Sequence, residues 1–137
     1  MLGLLVLALG ACGTLTRSDA GKYVDINGVV KEAFVTDKGF SVELSQHMAK
    51  EVFDKINIYN AYPVNSPEVK KPLKVDFSLR EISQKKENDK VKVDMIYSVM
   101  ILDSNNKTVG GSKDVPITFT VQTGGSGWKI IDKEERA

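Results

Sequence analysis

One thiol and one imidazole, Cys12 and His47, are all the cysteine and histidine chemistry this chain carries. A single Cys excludes an internal disulfide, and one Cys with one His is too few for a zinc site within one subunit. Cys12 stands at the foot of an uncharged apolar run, where its sulfur is the nucleophile that can take an alkyl chain as a thioether. His47 falls opposite the apolar stripe of its helix, near Glu43 and Glu51, and reads as a solvated side chain. General acid–base work needs a group held within hydrogen-bond reach of substrate in a shielded site, and His47 is not so placed. Tyr97 is the one polar handle on an otherwise apolar interior face. It reads either as a core tyrosine whose hydroxyl finds a partner or as a ligand contact. Gly110-Gly111 and Gly124-Gly125 neither open a helix nor precede a Lys-Ser/Thr pair, so they read as turns rather than phosphate loops. Lys70-Lys71 and Lys85-Lys86 read as solvated loop charges. No catalytic set, metal site or cofactor emerges from these residues.

Charge excludes another class. Nineteen Lys and Arg against 18 Asp and Glu leave a formal net charge of +1, with no concentrated basic surface to attract a nucleic acid. A charged fraction of 27% and a hydrophobic fraction of 42% are those of an ordinary globular domain.

The elements that must position Tyr97 follow from periodicity. Residues 91–102, VKVDMIYSVMIL, alternate: Val91, Val93, Met95, Tyr97, Val99 and Ile101 share one face. Leu73, Val75, Phe77 and Leu79 alternate before it, with Ile82 out of phase and a bulge expected near Arg80-Glu81. Val115, Ile117, Phe119 and Val121 alternate after it, and 128–132 (WKIID) ends the series with Trp128 and Ile130 facing alike. Residues 84–90 (QKKENDK) and 103–107 (DSNNK) read as hairpin connections. Four strands with short connections predict an antiparallel meander whose apolar face needs a helical cover. Residues 41–59 predict a helix capped by Ser41, with Leu44, Met48, Val52, Ile56 and Tyr59 in one stripe. Lys50–Asp54 and Glu51–Lys55 are spaced as surface ion pairs on it. Residues 24–38 read as a helix through Ile26, Val29, Val30, Ala33 and Phe34, capped by Asp25 and ended at Gly39; a β-hairpin turning at Asp37-Lys38-Gly39 is the competing reading.

The start of the chain has its own pattern. Residues 4–9 (LLVLAL) are solidly apolar, but the run ends by Ala11, far short of the roughly 20 residues that span a bilayer. It closes on Leu9-Gly10-Ala11-Cys12, followed by Gly13. This resembles the lipobox of bacterial lipoproteins, although no Lys or Arg precedes the apolar run. The resemblance implies a signal peptide over 1–11, diacylglycerol on Cys12, and cleavage before it. It implies membrane attachment at the bacterial cell envelope, at the outer membrane in a Gram-negative host. Residues 12–22, small and polar, then form a lipidated tether, and 23–134 form one domain.

Helices followed by a four-stranded antiparallel sheet ending in Gly127-Trp128-Lys129-Ile130 resembles the NTF2-like and cystatin-like architectures. The expected fold class is therefore α+β, N-terminal helices on one face of a curved four-stranded sheet. Fold alone gives no activity, because such folds host enzymes and pure binding modules alike. Two surfaces are singled out. A cone between helices and sheet, lined by Phe77, Tyr97, Phe119 and Trp128, would suit a small apolar molecule or lipid. On the opposite face Ile96, Met100 and Leu102 make the central strand apolar on both sides, more than a solvent-facing sheet requires. The expected covers are a second copy, another envelope protein, or the first helix. The reading that follows is a lipid-anchored, non-enzymatic binding or assembly module, with a carrier as the alternative.

Overall fold

Residues 22–125 and 127–136 are described by a computed structural model. The leader over 1–11, Cys12, and the tether as far as residue 21 lie outside the described residues.

Alternation in β2 (Lys90–Leu102) decides the architecture. Val91, Val93, Met95, Tyr97, Val99 and Ile101 are all 5% exposed or less. β2 pairs antiparallel with β1 (Lys74–Glu87) on one side and β3 (Thr108–Gln122) on the other; β4 (Lys129–Glu135) adds to β3. The order is the meander β1-β2-β3-β4. Among the described residues four short helices cover the inner face: α1 (Asn27–Val35), α2 (Val42–His47), α3 (Lys50–Ile56) and α4 (Ile58–Ala61). The class is α+β. Val30, Ala33, Phe34, Leu44, Val52, Phe53, Ile56 and Ile58 bury themselves against the apolar strand residues. Each of the larger ones, Ala33 aside, contributes roughly 1.5–3 kcal/mol when withdrawn from water.

Several expectations are corrected. The segment 24–38 is a helix, but α1 ends at Val35 with Thr36 extended, short of Gly39, which turns the chain at φ +82°. The single helix over 41–59 is three pieces. Ser41 caps the first, its Oγ accepting from Leu44 N–H at 3.1 Å, but Met48 is extended and bridges Ile130. Ala49 N–H then donates to the Ile130 carbonyl at 2.8 Å, so β4 takes a backbone group that a continuous helix would have used. The second break is at Asn57. Its side-chain nitrogen donates to the carbonyls of Ala33 and Thr36, and its oxygen accepts from Tyr59 N–H. One buried amide thus ties the end of α1 to the start of α4.

The strands also run longer than their alternation suggests. β1 continues through Glu87 to a tight turn at Asn88-Asp89, with Asn88 at φ 59°, so most of 84–90 is ladder rather than loop. Gly110-Gly111 is not a turn: both lie inside β3. A Cβ at Gly110 would stand 2.6 Å from the Tyr62 ring, and one at Gly111 would stand 2.8 Å from the Val99 carbonyl, so close approach explains both glycines. The register of β1 shifts between Glu81 and Ser83, leaving Ile82 half exposed at the bulge.

Candidate functional site

Beside Phe77 the space between helices and sheet is filled. Phe34 of α1 lies on Phe77 and Tyr97, with ring centroids at 4.8 and 4.6 Å, and Phe77 and Tyr97 stack at 6.3 Å. Phe119 is fully buried in the core. Trp128 stands apart from these three, before β4 begins. Its ring stacks on His47 at 4.2 Å, and its carbonyl accepts from His47 Nδ1 at 3.1 Å. Of the four residues expected to line a cone, then, the structure brings Phe77 and Tyr97 together, and Phe34 occupies the room beside them.

His47 is corrected by the same contact. It is not a solvated partner of Glu43 and Glu51 but a half-buried ring between α2 and the strand entry. Since a carbonyl can only accept, Nδ1 carries the proton and Nε2 is the free acceptor in the neutral ring.

A polar cluster that the sequence did not disclose gathers around the Tyr97 hydroxyl. β4 runs to Glu135, and its pairing with β3 slips at Ile131: Thr120 faces Asp132 while Val121 faces Ile130. One extra residue reverses which side chains point inward. Lys133 and Glu135 therefore join the row of Phe119 and Ile117 on the inner face. Tyr97 Oη donates to Glu135 Oε2 at 2.9 Å, and Lys133 Nζ stands 3.8 Å from the same oxygen. Burial first, then the bond to Glu135 and its negative charge, raise the Tyr97 phenol well above its ordinary range, so it stays a donor. Alongside, Tyr62 Oη and Ser112 Oγ share a hydrogen bond of 2.5 Å. These groups open on a cleft of about 190 Å³ walled by Phe34, Ile56, Ala61 and the Lys55 stem.

The outer face is different in kind. Most of its residues are hydrophilic and answered across strands: Thr118 Oγ1 donates to Asp94 at 2.6 Å, Ser83 Oγ donates to the same carboxylate at 3.3 Å, and Asp114 N–H donates to Ser98 Oγ at 2.8 Å. Among them sit Ile96 and Leu102, half-buried, and Met100, 46% exposed. Met100 borders a shallow groove of about 180 Å³ with Asp76, Ser78, Ser98 and Lys113. The first helix does not cover this face, because its Phe34 packs on the inner one.

No family model matches the chain, and no curated protein matches it in sequence. Among solved structures it is similar to the intermembrane space region of the chloroplast protein ARC6, at 18% identity and a TM-score of 0.44. That likeness covers 85% of this chain and 99% of the other.

One further feature is structural. Asp103 is 2% exposed and accepts from the backbone N–H groups of Lys107, Asn105 and Lys70. Those bonds, the one from Lys107 foremost, hold its carboxyl below the usual carboxylate range. The carboxylate thus closes the β2–β3 turn. Among the described residues no group of three or more His, Cys, Asp or Glu is placed to hold a metal, and no helix is long and apolar enough to cross a membrane.

Proposed function

We propose that this chain is a lipid-anchored, non-enzymatic binding or assembly module of the bacterial cell envelope, built on an NTF2-like or cystatin-like domain. Lipid on Cys12 would attach it to the membrane, the outer membrane in a Gram-negative host, and the tether would hold the domain off the surface. Two acyl chains are needed for such an anchor, since a single myristoyl chain holds only marginally at about 0.8 kcal/mol per buried methylene. The partner would be an envelope protein or a second copy, docked over Ile96, Met100 and Leu102. Nucleic acid is not a partner on this reading.

The observation that supports it is Met100, 46% exposed near the end of the inner strand β2, on a sheet face that the described first helix does not cover. A large flexible apolar side chain there adds nothing to the core and suits a contact that forms and breaks. The carrier alternative gains no comparable support, since Phe34 fills the room between Phe77 and the helices.

The test has two arms. Intact mass of membrane-extracted protein should equal the chain from Cys12 onward plus acyl groups, and Cys12→Ser should abolish the addition. An unmodified full-length mass in a host that processes lipoproteins would remove the anchor. Separately, Met100→Lys should abolish recovery of a crosslinked envelope partner or dimer while the protein stays folded; an unchanged crosslinking pattern would remove the outer face.

A further inference from the structure

The inner-face cleft is distinct from the outer surface and independent of any anchor. Its wall is assembled from α1, α3, the residue after α4, β2, β3 and β4, through Phe34, Lys55, Tyr62, Tyr97, Ser112 and Glu135. Side chains from so many elements, apolar Phe34 and Ile56 beside the polar groups of Tyr62, Tyr97, Ser112 and Glu135, give a small concave site of mixed lining.

The polar groups are not all occupied. Tyr97 and Lys133 both address Glu135 Oε2, leaving Oε1 without a hydrogen bond among the described residues. Lys55 has no carboxylate within 4.0 Å among the described residues; the Glu51 partner expected from i, i+4 spacing does not meet it, although Lys50 meets Asp54 at 2.8 Å. The Tyr62–Ser112 pair uses one hydroxyl proton internally and leaves the other to donate outward. A carboxylate and a hydroxyl donor therefore line one small space beside Phe34 and Ile56, and Lys55, exposed at its edge, brings an ammonium within reach of it. Their complement carries an ammonium for Glu135, a carboxylate for Lys55 and Tyr62–Ser112, and a short hydrocarbon between. At about 190 Å³ the cleft is smaller than the roughly 300–1,000 Å³ of ordinary ligand pockets, which limits the body to a few carbons.

We infer that the cleft binds a small zwitterion of the amino-acid class, its ammonium on Glu135 and its carboxylate at Lys55.

Calorimetric and amide-NMR titration of the full chain tests this with glycine, β-alanine, γ-aminobutyrate and L-leucine against butyrate and butylamine. At least one zwitterion should bind tenfold or more tightly than both single-charge analogues and shift the Ser112 and Glu135 amides. Glu135→Gln should erase its advantage over butyrate, and Lys55→Met its advantage over butylamine. Lys55 lies on an exposed helix surface, so its variant remains informative if Glu135→Gln disturbs the fold. No zwitterion outperforming the single-charge analogues, or an advantage that survives both substitutions, would overturn the inference. Neither result bears on Cys12 or Met100, so this site and the envelope reading can fail separately.

Discussion

At the scale of single residues, the phenol of Tyr97 and the carboxyl of Asp103 are displaced in opposite directions, with opposite consequences for pH. Burial and the Glu135 carboxylate raise Tyr97, so the folded state keeps its proton where the unfolded chain loses it. The stability this contributes is complete below the unfolded phenol value near pH 10. It falls as pH rises from there towards the folded value. Urea unfolding between pH 9 and 11 should accordingly show a steeper alkaline loss for the natural chain than for Tyr97→Phe. At neutral pH the same substitution should cost about 1 kcal/mol, below the roughly 1.5–3 of a hydrogen bond to a charged group, because Glu135 is partly solvated. Asp103 is held below its ordinary range, so its contribution is present above the unfolded carboxylate value and lost as pH falls through the folded one. Asp103→Asn should be less stable at pH 7 and show a shallower loss on acidification, read from the same unfolding curves.

Among elements, two contacts hold pieces that periodicity alone would have fused or left loose. Asn57 is 3% exposed and satisfies the carbonyls of Ala33 and Thr36 together with the Tyr59 amide in the first turn of α4. Asn57→Ala removes three bonds in a site closed to water, and chemical denaturation should report a loss of roughly 2–3 kcal/mol. The second contact is Tyr62 laid across Gly110. Gly110→Ala drives a methyl group to within 2.6 Å of the ring and should cost about 1–3 kcal/mol. A double-mutant cycle with Tyr62→Ala should recover most of that cost, because the clash disappears with the ring. If the alanine costs the same in both backgrounds, the backbone of β3 rather than the ring is what requires glycine.

For the whole molecule, one sheet presents two unlike faces. Among the described residues the inner one is covered by four helices and retains a small cleft between Phe34, Ile56 and Ala61 of those helices and Glu135 of β4. The outer one is solvated, cross-bonded and interrupted by Met100. A substitution that touches nothing in the fold should leave stability within about 0.5 kcal/mol. Met100→Lys is predicted to behave so in thermal unfolding, whereas Phe34→Ala, which empties the centre of the aromatic cluster, should cost about 3–5 kcal/mol. A large loss for Met100→Lys would mean that the outer methionine is part of the fold and not held in reserve for a partner.

The sequence by itself determined the four strands, their meander order, the inward set on β2 and the apolar stripe from Leu44 to Ile56, because strict alternation and helical spacing are local properties that burial then enforces. It also placed the bulge in β1, since Ile82 breaks the alternation visibly. What only the tertiary structure decided are departures made by partners distant in sequence. Ile130 takes the amide of Ala49 and breaks a helix whose own pattern is continuous. Trp128 claims His47 from 81 residues away, and Tyr62 requires the glycine at 110. The one-residue slip at Ile131 turns Lys133 and Glu135 inward, and no pattern in so polar a segment announces it. The candidate cleft depends on that slip: a period-two signal fixes the face of a strand only while each residue has one partner, and a bulge is set by the neighbouring strand.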